Sequence, residues 1–165
     1  MHDKHIIKID LVLIAVSVIG LIILVGYVSP LVVSPIDDYE TTSTSILFEI
    51  EKADSILIDD NAEFTTPDEY VVKEGLQIKL QPGEYYWKAV GVFGSEIRQL
   101  TINSEVDLKL RKLENGGDRY GVFNAGNVDL DVDVYNDTDL VEKMKLEVDI
   151  EVEVEGTKFI GGQNG

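Results

Sequence analysis

Residues 143–155, KMKLEVDIEVEVE, alternate apolar and charged side chains almost without interruption, and residues 128–135, VDLDVDVY, do the same. Because successive side chains of a β-strand point to opposite faces, this period predicts strands with one buried and one solvent-facing side. The buried faces are predicted to comprise Leu146, Val148, Ile150, Val152 and Val154 in the last strand, and Val128, Leu130, Val132 and Val134 in the strand before it. The two segments predict an antiparallel, all-β domain.

The same alternation recurs through residues 45–155. The predicted strands are Ser45–Glu51, Ser55–Asp59, Glu69–Lys73, Gln77–Leu80, Glu84–Phe93, Ile97–Ile102, Glu105–Arg111, Tyr120–Phe123, Val128–Tyr135 and Lys143–Glu155. Turn-forming residues separate them, among them Pro82-Gly83 and the run Asn115-Gly116-Gly117-Asp118. Many short strands at this spacing indicate a sandwich or an open barrel.

Near the amino terminus, residues 11–36, LVLIAVSVIGLIILVGYVSPLVVSPI, contain no charged side chain. A helix over residues 11–33 would be about 34 Å long, which matches a hydrocarbon core of roughly 30 Å. The segment is longer than the apolar region of a signal peptide, and no A-x-A-like cleavage site follows it. We therefore expect a retained transmembrane helix at 11–33, between an amino-terminal segment 1–10 and a polar tether 34–44.

Basic residues flank this helix on one side only. Lys4 and Lys8 precede it, whereas the next basic residue after it is Lys52. Because the cytoplasmic flank of a membrane helix carries the excess of Lys and Arg, residues 1–10 are expected to be cytoplasmic. The domain at 45–156 would then lie outside the cytoplasm, followed by a flexible tail at 157–165.

The net charge of −17 is carried entirely by residues 37–165, because the four charges before them cancel. Such a surface repels nucleic-acid phosphates and anionic lipids, so neither is an expected ligand of the domain. The chain has no cysteine, which excludes thiol catalysis, disulfides and thiolate metal sites. Its two histidines, His2 and His5, precede the membrane helix, so histidine-dependent hydrolysis and histidine-bound zinc are not expected outside. We expect no enzymatic activity and no cofactor.

Calcium is the one metal that the acidic residues suggest. Asp131, Asp133, Asp139 and Glu142 occupy the first, third, ninth and twelfth positions of an EF-hand-like spacing, but Asn136 stands where that loop needs glycine. A looser site would use the segment Asn136–Asp139, which includes Asp137, or the pair Asp59-Asp60. Solvated acidic strands are the alternative. The sequence Asn136-Asp137-Thr138 is also an N-x-T glycosylation signal, with Asn136 as the acceptor.

The aromatic residues near the middle of the chain have two interpretations. By alternation, Tyr85, Trp87 and Phe93 share a strand face with Ala89. A sugar-stacking platform would use such aromatics, but the small neighbour favours packing in the core. We expect these side chains to be buried.

Two stretches resemble known families. Residues 55–93 resemble PEGA-type domains, small β-sandwich modules of prokaryotic surface proteins, and the matching residues are Ile56, Leu57, Ile58, Thr66, Pro67, Leu76, Ile78, Leu80, Pro82, Gly83, Glu84, Tyr85, Trp87 and Ala89. Residues 124–130, NAGNVDL, resemble the N-x-G-N motif at the start of strands in Ig-like repeats of archaeal surface proteins. Asp60-Asn61 departs from the Asp-Gly turn usual in PEGA domains. The resemblances imply an Ig-like or PEGA-like β-sandwich of an archaeal single-pass surface protein.

Three functions fit this description. The first is a non-enzymatic, membrane-anchored module that binds another surface protein or a cell-envelope component. The second is a structural or stator subunit of a surface filament, such as an archaellum or pilus accessory protein, although no pilin-like processing site precedes the apolar run. The third is a calcium-dependent adhesion or carbohydrate-binding module.

Overall fold

A computed structural model describes residues 3–114 and 117–163. Over these residues the chain forms one helix, α1 (Asp3–Val28), followed by strands. The strands are β1 (Leu31–Ser34), β2 (Tyr39–Thr41), β3 (Ser45–Glu51), β4 (Ser55–Asp59), β5 (Asp68–Val71), β6 (Leu76–Lys79), β7 (Gly83–Val90), β8 (Arg98–Ile102), β9 (Leu108–Lys112), β10 (Arg119–Asn124), β11 (Leu130–Asn136), β12 (Asp139–Leu146), β13 (Glu151–Glu155) and β14 (Lys158–Gly162). The protein is therefore mostly β, with one amino-terminal helix.

Helix α1 contains an apolar stretch, Lys8–Val28, with a mean hydropathy of 3.0, and its most apolar part is not buried against the rest of the chain. Ser29 makes the last hydrogen bonds to the helix: its N–H and its hydroxyl both donate to the Val25 carbonyl oxygen, at 3.0 and 2.7 Å. Pro30 follows and has no N–H to continue the ladder. The helix thus begins and ends earlier than the predicted 11–33, and Leu31–Ser34 is strand β1 instead. The predicted tether 34–44 likewise contains strand β2.

Within the part of the chain that the structure describes, the strands form four sheets. Their orders are β1-β3-β6, β2-β8-β7-β4-β5, β13-β10-β9 and β12-β11-β14. Strand β2 runs parallel to β8, whereas β4 pairs antiparallel with both β5 and β7. Strand β10 lies antiparallel between β9 and β13, and β11 lies antiparallel between β12 and β14. The prediction of a β-rich domain built mainly from antiparallel strands is confirmed.

The chain divides into two compact units. The first comprises the residues up to Asp37, Leu47–Leu76 and Tyr85–Gln99; the second comprises Asp38–Ile46, Gln77–Glu84 and the residues from Leu100 onward.

In the first unit, the rings of Phe48 and Trp87 pack edge to face, with centroids 5.0 Å apart and planes at 88°. Trp87 and Ala89 are fully buried, as the alternation predicts, and Tyr85 is half-buried. The prediction is wrong for Phe93, which is 44% exposed because strand β7 ends at Val90.

The core of the second unit joins side chains from two sheets, β13-β10-β9 and β12-β11-β14. Its buried members are Val122, Leu130, Val132, Val134, Leu146 and Val154. Alternation along β11 places Leu130, Val132 and Val134 in this core, which confirms the predicted face of that strand.

The predicted last strand, Lys143–Glu155, is wrong as one continuous element. Strand β12 pairs with β11, whereas β13 pairs with β10 in another sheet, so the chain must turn between them. Asp149 takes a left-handed conformation (φ 61°), and the Ile150 N–H donates to the Glu147 carbonyl oxygen. Ile150 and Val152 are consequently exposed instead of sharing the buried face of Leu146 and Val154. The segment predicted as a flexible tail contains β14, which pairs with β11.

Candidate functional site

An open groove of about 510 Å³ runs along the outer face of the sheet β12-β11-β14. We call it the β11 groove; it is lined by Asp131, Val132, Asp133, Lys143, Met144, Lys145, Ile160, Gly161, Gly162 and Gln163. Gly162 of β14 contributes to this open space, because it pairs with Asp131 and nothing lies within 4 Å of the position that a Cβ would take. Ile160, which pairs with Asp133, remains 46% exposed at its edge.

The charges of the groove are largely paired across strands. Lys143 Nζ lies 3.1 Å from a carboxylate oxygen of Asp133, and Lys145 Nζ lies 2.9 Å from one of Asp129. The hydrogen bond from Lys145 holds the pKa of Asp129 below its ordinary value, against the opposing effect of burial, and Asp129 raises the pKa of Lys145 in return. The wall of the groove is therefore a ladder of opposite charges, which relieves repulsion between the acidic strands.

The predicted calcium ligands are dispersed over this hairpin. Asp131 and Asp133 lie on β11 in the groove, whereas Glu142 pairs with the buried-face residue Val134 and so lies on the other side of the sheet. Asp137 is in the tight turn with φ 52°, and Asp139 begins β12 opposite Asn136. Within residues 3–114 and 117–163, no three His, Asp or Glu side chains converge on a point where a metal ion would fit. Strand alternation separates residues that a loop would bring together.

The glycosylation signal occupies the tip of the same hairpin. Asn136 is the last residue of β11 and is exposed, as are Asp137 and Thr138. The Asp137 N–H donates to the Thr157 hydroxyl at 2.7 Å, which fixes the turn while Asn136 stays accessible.

The second predicted calcium position, Asp59-Asp60, is a hydrogen-bonded turn. Asp59 is only 5% exposed, and its carboxylate accepts bonds from the Asn61 side chain at 2.8 Å and the Thr66 N–H at 2.9 Å. Burial raises the pKa of Asp59, but the hydrogen bonds from Thr66 and its neighbours outweigh it, so the pKa lies below its ordinary value. This carboxylate closes the loop that leads to β5.

The side chains of the two asparagines in the N-x-G-N stretch form hydrogen bonds with backbone groups. Asn124 is fully buried, and its amide donates to the carbonyl oxygens of Val128 and Leu146 at 2.8 and 3.1 Å. Asn127 donates to the carbonyl oxygens of Thr42 and Asn103 and accepts from the Glu105 N–H at 2.6 Å. Between them, Gly126 packs directly against the backbone of Glu105 and Asp107. The motif therefore has a structural role: its side chains join backbone segments of the second unit.

Sequence reasoning missed one feature of the first unit. The side chain of Lys52 lies over the ring of Tyr27 at the end of α1, with its Nζ 5.0 Å from the ring centre. Lys52 is in a left-handed turn (φ 60°), a conformation that sequence alternation does not reveal.

No protein family, curated protein or solved structure shows significant similarity to this chain.

Proposed function

We propose that this chain is a single-pass membrane protein that displays an acidic, Ig-like or PEGA-like β-sandwich outside the cytoplasm, where it binds a protein or envelope partner without catalysing a reaction. The observation that supports it most is the exposure of the apolar part of α1. In water, each Å² of such surface costs about 25 cal/mol. At 1.5 Å per residue, the 21 residues of Lys8–Val28 extend about 31 Å, close to the hydrocarbon thickness of a bilayer.

Retention of the helix is supported by how closely the β-structure follows it. Only Ser29 and Pro30 separate α1 from β1, and β1 pairs with β3 from Leu31 onward. Cleavage near the end of the helix would remove or fray a strand that belongs to a sheet. We therefore propose a signal anchor in preference to a removable signal peptide.

The orientation is proposed from charge. Lys4 and Lys8 stand before the membrane segment, and the strongly acidic domain follows it. The first of these features, the basic residues before the helix, favours a cytoplasmic amino terminus.

The binding role is proposed from the β11 groove. Its walls are ion-paired and its exposed apolar residue, Ile160, lies at the edge of a sheet, so the groove suits a polypeptide surface better than a small charged substrate. The net charge of −17 favours a partner with basic or cation-rich surfaces.

Alkaline carbonate extraction tests the membrane proposal: the full-length chain should stay in the membrane pellet, and its release into the supernatant would contradict the anchor. A photo-crosslinking residue at position 160, in intact cells, tests the binding role. We expect one adduct of defined mass there and none from the same residue at exposed Ala62. Recovery of the chain alone from both positions would count against a partner at the groove.

A further inference from the structure

The loop Gly91–Gly94, between β7 and β8, which we call the tip, is closed by hydrogen bonds. The Gly91 N–H donates to the Phe93 carbonyl oxygen at 3.1 Å, and the Ser95 N–H donates to the Ala89 carbonyl oxygen at 2.8 Å. The Ser95 hydroxyl accepts from the Ala89 N–H at 2.9 Å. Gly91 packs against the backbone of Lys52, where a Cβ would clash with its carbonyl oxygen. The loop is held by backbone, so its side chains are not needed to close it.

The side chains at this tip are apolar and project into solvent. Val92 is 76% exposed and Phe93 is 44% exposed. Val71 is also exposed. It lies at the same end of the sheet as the tip, because Ser55 of β4 pairs with both Val71 and Val90. A fixed loop that keeps a valine and a phenylalanine in water loses stabilisation that burial would give, which points to a surface that covers them.

The tip lies beside the end of α1. A cavity of about 340 Å³ is lined by Tyr27, Val28, Lys52, Ala53, Asp54, Gly91 and Val92. Lys52 spans this cavity toward the Tyr27 ring. Val92 is thus at the level of the last turn of the helix.

We infer that the loop Gly91–Gly94 is a second membrane contact, in which Val92 and Phe93 insert into the interfacial layer of the bilayer that α1 crosses. This inference rests on the proposed anchor. If Lys8–Val28 fills the hydrocarbon core, Tyr27 and Val28 mark its outer boundary, where aromatic rings and lysine side chains are favoured. The neighbouring tip then meets the same boundary, and the first unit rests on the membrane.

The contact is made by apolar insertion. Asp54 lines the same cavity as Lys52, and the domain carries the net charge of −17, so anionic headgroups gain little here. Zwitterionic lipid is the expected surface. Anionic lipid should not strengthen the contact.

Spin labels on the full-length chain test the inference, since the protein has no cysteine of its own. Single variants Val92→Cys, Ala62→Cys and Leu21→Cys are labelled with a nitroxide and reconstituted in phosphatidylcholine vesicles. Ala62 is the matched control: it is exposed in the same unit, in the loop after β4, and the length of β4, about 13 Å, separates that loop from the tip. Collisions with oxygen and with a water-soluble nickel complex report the depth of each label.

We expect the label at position 92 to show at least a threefold higher ratio of oxygen to nickel collisions than the label at position 62. Equal ratios at 92 and 62, with lipid-like values at position 21, would overturn the inference and leave the anchor intact. Water-like values at position 21 would overturn the anchor and the inference together. A label at 92 that is shielded from both reagents and dipole-coupled to a second label would identify another copy of the chain as the occupant, which also overturns it.

Discussion

The side-chain amide of Asn127 donates a hydrogen bond of 2.7 Å to the carbonyl oxygen of Thr42, which lies 85 positions earlier in the chain. The same amide donates to the Asn103 carbonyl oxygen at 2.8 Å, and the side-chain oxygen accepts from the Glu105 N–H. One asparagine therefore satisfies three backbone groups, which belong to two segments of the second unit that are far apart in the sequence.

Replacement of this residue should destabilise the domain strongly. Asn127→Ala removes three hydrogen bonds at a site that is 8% exposed, and we expect a loss of about 2–4 kcal/mol in the free energy of unfolding. Urea unfolding of the full-length protein in detergent, followed by circular dichroism, measures it. Asn136→Ala, in the exposed hairpin, is the control and should change the value by less than about 0.5 kcal/mol. Equal effects of the two substitutions would refute the role of Asn127 in joining these backbone segments.

Gly126 should not tolerate a side chain. A Cβ at this position would meet the Glu105 carbonyl oxygen and come within 2.9 Å of the Asp107 nitrogen, and both are backbone atoms that cannot swing away. We expect Gly126→Ala to cost about 2 kcal/mol or more, by the same unfolding measurement. Gly162→Ala is the matched control, because nothing lies within 4 Å of its added Cβ. A neutral Gly126→Ala would show that the loop packs differently.

Asp59 should make stability depend on pH in acid. Its pKa is lower in the folded chain than in the unfolded chain, so its stabilising effect is complete above the ordinary carboxyl pKa. That effect is lost as the pH falls below about 4 and through the lower folded value. Asp59→Asn should therefore be less stable than wild type near pH 6 and should lose less stability between about pH 5 and pH 2. Glu63→Gln, at an exposed position of the same loop, should leave the wild-type slope unchanged; if Asp59→Asn leaves it unchanged too, the proposed pKa shift is wrong.

Alternation correctly predicted strands that run without interruption within a single sheet. The bounds of β3, Ser45–Glu51, and β4, Ser55–Asp59, agree with the predicted ones. The same pattern could not show the break after Leu146, because apolar residues continue with period two through the turn that contains the left-handed Asp149. Strand β14 was missed because its two glycines weaken the period, although pairing with β11 holds it in place.

The candidate site was less accessible to sequence reasoning. Asp131 and Asp133 were identified as candidate ligands, but the groove beside them is also lined by Ile160, Gly161 and Gly162 of the unpredicted strand. The tip at Val92 is closed by backbone hydrogen bonds, and the alternation of apolar and polar side chains does not predict such bonds. A sequence period reports which face is buried and does not report which strands become neighbours.

The central claim, a retained single-pass anchor with its domain outside, is tested most directly by labelling with a membrane-impermeant maleimide in intact cells. Ala62→Cys and His5→Cys introduce single thiols after and before the apolar stretch Lys8–Val28 in a chain that otherwise has none. We predict that the thiol at position 62 reacts in intact cells, that the thiol at position 5 reacts only after lysis, and that both reside in a chain of the full 18.4 kDa. Reaction at position 5 in intact cells, protection at position 62, or a shortened chain would contradict the account.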